Sequence, residues 1–395
     1  MFSENTGIAM TDLANFGIYV HWPFCQKKCP YCDFNSHVRD MVDHDRFGAA
    51  IITEIETMAD QFDLRGRPVH SIFFGGGTPS LMPPDIAGQI CSAITTIFQP
   101  VDDIEITLEA NPTSVEADKL AGFREVGINR LSMGIQSLND EHLSFLGRQH
   151  SAKEALNALD KAQHIFDRVS ADFIYALPDQ TTAEWCKELK TILALACDHL
   201  SLYQLTLEEG TAFYSMAKRG LMQMPADEIS LDMFTETQNH CLAAGLNAYE
   251  ISNHAKAGQE SRHNLTYWRA GDWIGAGPGA VGRIWQGHGR TETRCRKHPD
   301  GWLDDVMRTG IGLAEQNQET QKDYAAEAVM MGLRLEEGIN IAAIEEKAGA
   351  RQSWLDEEAV SLYCEQRLLH RNDDILSLTN IGKTVMNTLI GQILI

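Results

Sequence analysis

Apolar residues recur along the chain in two alternating rhythms. Short β-branched or aromatic runs occur at 16–22 (FGIYVHW), 70–76 (HSIFFGG), 103–110 (DIEITLEA), 128–135 (INRLSMGI), 170–177 (SADFIYAL) and 199–207 (HLSLYQLTL). Between them, near 42–60, 85–98, 115–126, 152–165 and 183–196, apolar positions return at helical spacing. Strands that alternate with helices in one order predict an α/β fold with a parallel sheet and helical crossovers. Six such units fit a partial (β/α)6 TIM-like barrel, open on one side. A doubly wound sheet is the rival that periodicity leaves open.

The alternation ends near residue 215, and four regions are expected. They are an N-terminal tail (1–14), the barrel (15–220), a connecting region (221–310) and a C-terminal helical domain (311–395). The connecting region carries a helix near 226–245, YEISNHA at 249–255 and the Gly-rich stretch 271–283. In the last region, Asn372-Asp373-Asp374 predicts a turn between two short strands, a wing on a helical domain. Such modules can bind DNA, but residues 321–395 hold 7 Lys/Arg against 12 Asp/Glu. A structural or lid role is expected instead.

Composition sharpens this. Of 395 residues, 44% are hydrophobic and 22% charged, which suits a globular protein. Lys and Arg number 33 against 55 Asp and Glu, a net charge of −22 that counts against nucleic acid as a partner. No segment reaches the roughly 18 uninterrupted apolar residues of a membrane span. The start, MFSENTGIAMTDLANFG, lacks the basic residues of a signal peptide, so a cytoplasmic protein is expected. Residues 283–298 are a local exception: Arg283, Arg290, Arg294, Arg296 and Lys297 face only Glu292. This island is a candidate for binding anionic groups.

Six of the nine cysteines are scattered, as small buried hydrophobes often are. The other three stand together as Cys25-x3-Cys29-x2-Cys32, just after the first strand. Zinc, with a fourth ligand from His21 or His37, is one reading. An iron–sulfur cube with one open iron is the sharper one. Parallel α/β folds gather chemistry beyond the C-terminal ends of strands. There the later strands supply Gly75-Gly76-Gly77-Thr78-Pro79, Glu109-x-Asn111-Pro112, Gly134-Ile135-Gln136, Asp172, and Thr206 with Glu208 and Glu209. The glycines admit close approach of a ligand to backbone. Glu109 and Asp172 can accept from an ammonium or ribose hydroxyls, and Arg148 can hold a carboxylate. Together these suit S-adenosylmethionine, an amino acid carrying a ribose.

The cysteine motif, preceded by Tyr19-Val20-His21-Trp22-Pro23-Phe24, resembles the start of the radical S-adenosylmethionine proteins. More narrowly, the chain is similar to the group related to oxygen-independent coproporphyrinogen III oxidase. The likeness runs through GGGTPS (75–80), LEANP (108–112), GINRLSMGIQS (127–137), GRQH (147–150), DFIYALP (172–178), YEISN (249–253) and RHNLTYW (262–268). It implies a 4Fe-4S cluster on Cys25, Cys29 and Cys32, with S-adenosyl-L-methionine on the open iron. It assigns cofactor contacts to Tyr19, Tyr31, Gly76, Gly77, Thr78, Glu109, Gln136, Arg148 and Asp172.

The group has two branches. The oxidase motif continues to a fourth cysteine, whereas this chain reads Cys32-Asp33-Phe34, and only 24 residues precede Cys25. Both features, and His263-Asn264-x2-Tyr267-Trp268, resemble the heme-chaperone branch. That resemblance implies a heme chaperone that passes heme to acceptor proteins such as respiratory enzymes. Cluster and S-adenosylmethionine would regulate heme binding or formation of a homodimer. Radical oxidative decarboxylation of coproporphyrinogen III is the alternative, and no catalytic residue is assigned. Where many relatives carry a histidine, this chain has Val281. His263 is therefore the leading candidate heme ligand, Cys295 its rival, and the island at 283–298 the candidate partner of the heme propionates.

Overall fold

The computed structural model describes residues 15–395 other than His288, so the 1–14 tail lies outside the described residues. Six strands run parallel and in sequence order: β1 (Phe16–Trp22), β2 (Pro68–Gly76), β3 (Gln99–Ala110), β4 (Arg130–Gln136), β5 (Arg168–Tyr175) and β6 (His199–Gln204). Helices lie between them. Those at Ala152–Ile165 and Thr182–Leu193 begin with reciprocal capping boxes, Ser151 with Glu154 and Thr181 with Glu184. The fold is the partial (β/α)6 barrel expected from the pattern.

Strands buried on both faces usually read as continuous apolar runs. Here the two faces differ. Phe16, Ile18, Val20 and Trp22 of β1 are fully buried in a core shared with Phe47, Ile51, Ile55 and Met58 of helix His44–Gln61. The alternate residues turn into the barrel, and many of them are polar: Ser71, Glu105, Thr107, Arg130, Ser132, Ser170 and His199 are all buried. The barrel is apolar outside, beneath its helices, and polar within.

The region expected as a connector is woven into the same sheet. Strand Asp272–Ala276 pairs parallel to β1, and Val281–Gln286, Gly289–Cys295 and Leu313–Gln318 continue antiparallel from it. At the other edge, Asn253–Ala255 and Asn247–Ala248 extend β6, completing a twelve-stranded sheet. Helix Arg262–Trp268 packs across the N-terminal end of the barrel, where Ser71 Oγ is 2.8 Å from His263 Nδ1.

The C-terminal region forms a separate core around Val329, Leu333, Ile341, Trp354, Val360 and Ile393. Its helices surround a small sheet in which Leu369–Asn372 and Ile375–Leu378 form the expected wing, with Asp373 in the left-handed region at the turn (φ 52°).

Candidate functional site

The cysteine loop leaves β1 and is closed by pairing of Phe24–Cys25 with His37–Val38. Asn35 anchors it from behind. Its Nδ2 donates to the carbonyls of Pro278 (2.8 Å) and Lys297 (2.9 Å), and its own carbonyl lies 2.9 Å from His21 Nε2. Gly279 permits this approach: a Cβ there would stand 2.4 Å from Asn35 Nδ2, and its φ is +85°. The Gly-Pro-Gly turn thus acts as a clamp on the cysteine loop. Burial lowers the His21 pKa to about 4, so the imidazole in this clamp is neutral.

The glycine triplet binds the second strand to the first. Gly77 N–H donates to Trp22 O (2.7 Å) and Thr78 N–H to Phe24 O (2.9 Å). A Cβ on Gly77 would meet the Phe24 carbonyl oxygen at 2.8 Å. Thr78 Oγ1 in turn lies 3.4 Å from Cys25 Sγ, so the cradle and the cysteine loop touch.

Loop and cradle form one side of an open cavity of about 670 Å³ at the C-terminal rim. Cys25, Cys29, Tyr31, Cys32, Gly76, Gly77, Thr78, Glu109, Gln136, Arg148 and Asp172 all line it. Glu109 accepts from Gly76 N–H (3.2 Å), and its pKa is raised to about 8, first by burial and then by the nearby Asp172. Asp172 accepts from Ser132 Oγ (3.0 Å) and Ser170 Oγ (3.2 Å), and burial raises it too. Among the described residues neither carboxyl forms an ion pair, which leaves this wall ready for a positive ligand. Arg148 donates to Gly134 O (2.8 Å) and approaches Cys29 Sγ (3.7 Å), while its buried Nε has no partner. A guanidinium and two carboxyls lining one cavity suit a ligand carrying both charges. Gln136 adopts φ 75°, a conformation that costs a non-glycine residue about 1 kcal/mol or more and is concentrated at functional sites.

The three cysteines are free thiols at one end of this cavity, and burial raises the pKa of Cys25 and Cys32. Among the described residues, the one group of three or more potential ligands with donor atoms within 4.8 Å of one another lies elsewhere, at Cys186, Glu236 and His240. The three cysteine sulfurs do not all lie within 4.8 Å of one another, a spacing that suits a cluster offering each thiolate its own iron better than one zinc ion.

Other candidates stand apart. Tyr19 stacks against Phe73 and His263 inside the barrel, and its hydroxyl lies 3.0 Å from His21 Nδ1. His263 is wholly buried at the opposite end of the barrel, with Nδ1 2.8 Å from Ser71 Oγ and Nε2 2.6 Å from Tyr267 OH. With both ring nitrogens engaged and its pKa lowered to about 3 by burial, it has no free position for a heme iron. Cys295 is buried against Glu54 and Gly275 O, also out of reach. The arginines of the basic island are paired by carboxylates, Glu292 within it and the others beyond it in sequence. Arg283 meets Glu292, Glu319 and Glu327; Arg290 meets Glu319 and Glu327; Arg294 meets Glu292 and Glu315; Arg296 meets Asp305. These pairs leave the arginines no surplus charge for propionates.

Other wall residues went unrecognised in the sequence. Arg334 and Asn387 reach the cavity from the C-terminal region, and Phe234, Ile251 and Ser252 from the connecting region. Arg334 is held by the buried Glu250 (3.2 Å) and lies over Trp268 (4.7 Å). The YEISN motif contains Glu250, but nothing in the sequence names its distant partner.

Residues 19–192 match the radical SAM superfamily and residues 320–384 the HemN C-terminal domain. The chain is 41% identical to the mitochondrial radical S-adenosyl methionine domain-containing protein 1 of Bos taurus, across 82% of this chain and 74% of that protein. It is 33% identical to the heme chaperone HemW of Bacillus subtilis, across 95% and 98%. The HemW of Haemophilus influenzae is 35% identical, across 96% and 98%. In structure, it is similar to the coproporphyrinogen III oxidase HemN of Escherichia coli (TM-score 0.79, 24% identity, 96% of this chain and 89% of that one), a likeness of fold.

Proposed function

The chain belongs to the HemW-like family of radical SAM proteins, and from that premise we propose that it binds heme and transfers it to acceptor proteins. The observation that carries this reading is the likeness to heme chaperones over nearly the whole of both chains.

Cys25, Cys29 and Cys32 hold a 4Fe-4S cluster, which supplies an iron with an open position. Glu109 and Asp172 take the ammonium and ribose hydroxyls of S-adenosylmethionine, Arg148 its carboxylate, and Gly76, Gly77, Thr78 and Gln136 its backbone-contacting edges, with Tyr31 beside the cysteines. Tyr19 supports this wall from within the barrel. Heme occupies the remaining cavity, where Phe34, Ile174, Leu205, Phe234 and Ile251 offer apolar surface and Lys27 and Lys28 offer cations for propionates. Phe34, at the place of the oxidase's fourth cysteine, is 59% exposed and gives the cavity mouth an apolar side chain. Nine free thiols suit a reducing compartment such as the cytoplasm, and we propose respiratory enzymes as acceptors.

The test is anaerobic reconstitution with iron and sulfide, then heme titration with and without S-adenosylmethionine, followed by transfer to an apo-hemoprotein. Saturable binding of heme and its transfer are expected. Conversion of coproporphyrinogen III to protoporphyrinogen IX by the same preparation would replace this reading with the oxidase one.

A further inference from the structure

A second group of metal-binding side chains lies away from the cavity, where two helices pack. Helix Thr182–Leu193 follows β5, and helix Asp227–Ala243 crosses it so that Trp185 Nε1 donates to Thr237 Oγ1 at 2.8 Å. Beside that buried contact, Cys186 on the first helix meets Glu236 and His240 on the second. Glu236 and His240 are four residues apart and share one helix face, with His240 Nε2 3.6 Å from the Glu236 carboxylate. One donor atom from each of the three residues lies within 4.8 Å of the others, and all three residues are half-buried. The cavity uses none of them.

We propose that Cys186, Glu236 and His240 form a binding site for a divalent transition metal, Zn²⁺ by its donor set, with water as fourth ligand. A thiolate, an imidazole and a carboxylate are all zinc donors, at about 2.0–2.3 Å, which places tetrahedral neighbours about 3.5 Å apart. The Glu236–His240 pair, at 3.6 Å, already has that spacing, and the donor atoms of all three residues lie within 4.8 Å of one another. Burial and the Glu236 carboxylate both raise the thiol, opposed by Lys190, so the pair faces a local excess of negative charge once the thiol ionises. The metal supplies the missing cation: a zinc–thiolate bond forms as the Cys186 proton leaves to solvent.

Such an ion would staple the helix of the 221–310 region to the barrel. Trp185, next to Cys186, stacks on Tyr175 (4.7 Å between centroids, 11° between planes), and Tyr175 lines the cavity. Phe234, two residues before Glu236, lines it too. Metal binding therefore fixes two side chains of the wall proposed for heme, although the site itself stands independently of that proposal.

The test uses the full chain carrying its cluster. The protein is equilibrated with Zn²⁺, passed over a chelating resin and assayed for zinc and iron, alongside Cys186→Ser and His240→Ala. Wild type should keep one zinc per chain with its iron unchanged, and each variant less than a tenth of that. Zn²⁺ should raise the Tm of wild type but not of the variants, whose Trp185–Thr237 contact and circular dichroism stay intact. Equal retention by the variants would overturn the proposal. So would absence of zinc from fully iron-loaded wild type, or zinc gained only in step with iron lost, which places it on Cys25, Cys29 and Cys32.

Discussion

The two ends of the barrel bury similar residues and use them in opposite ways. At the N-terminal end, Glu105 accepts from Arg168 (2.8 Å) and from the N–H groups of Arg262 (3.2 Å) and His263 (3.1 Å), with Arg130 4.0 Å away. His263 spends both nitrogens on Ser71 and Tyr267. Charges and dipoles there are matched, and helix Arg262–Trp268 seals the end. At the C-terminal end, Glu109 and Asp172 have serine and backbone donors but, among the described residues, no cation within bonding distance, and Arg148 Nε is buried without a partner. Ionising two neighbouring buried carboxyls is costly, so burial and Asp172 keep Glu109 protonated up to about pH 8. A cationic ligand at this end would let both ionise, whereas the other end already supplies its carboxylate with arginines.

Four experiments can break or sharpen this contrast. The largest effect is expected from replacing Cys25, Cys29 and Cys32 together by Ala: iron retained after anaerobic reconstitution should fall to background while far-UV circular dichroism is unchanged. Next, Glu105→Ala should cost about 3–5 kcal/mol in urea unfolding, because it strands buried arginines. Glu109→Gln should cost nothing or stabilise the ligand-free protein, and an equal loss at both positions would erase the distinction.

The third experiment follows from the pKa of about 8 for Glu109. The folded state holds this proton more tightly than the unfolded chain, so the group's effect is absent below about pH 4.5 and destabilising as pH rises toward 8. Stability of the ligand-free protein should therefore fall across that window by up to about 1.4 kcal/mol per pH unit from this group. Glu109→Gln should flatten the dependence by that amount, and parallel wild-type and variant curves would count against an uncompensated Glu109. The smallest effect concerns His263. Its replacement by Ala should lower stability by roughly 1–3 kcal/mol through the unpaired Ser71 and Tyr267 hydroxyls. Heme affinity should change less than twofold, whereas a tenfold loss would return His263 to the heme site.

Much of the functional rim was legible because it is local. Cys25-x3-Cys29-x2-Cys32, the glycine triplet and the carboxylates at strand ends each sit within a few residues of a recognisable strand. Parallel strands in sequence order then carry them to one rim. The charged island at 283–298 misled for the complementary reason. Its arginines are neutralised by Glu315, Glu319 and Glu327, from the next strand and beyond, which no window of sixteen residues contains. The motif at 262–268 pointed to the right branch of the family, but its histidine, a candidate heme ligand by sequence, is in space engaged by Ser71 and Tyr267 within the barrel.

Local spacing and period determined the barrel, the cysteine loop, the cofactor cradle and the wing, because each depends on contacts near in sequence or on a repeating unit. Tertiary structure alone decided which polar groups were already satisfied. It set His263 against Ser71, Arg290 against Glu319 and Glu327, Arg334 at the cavity against Glu250, and Cys186 against a helix some fifty residues on. A side chain's chemical freedom depends on its partners, and those partners are brought to it by folding.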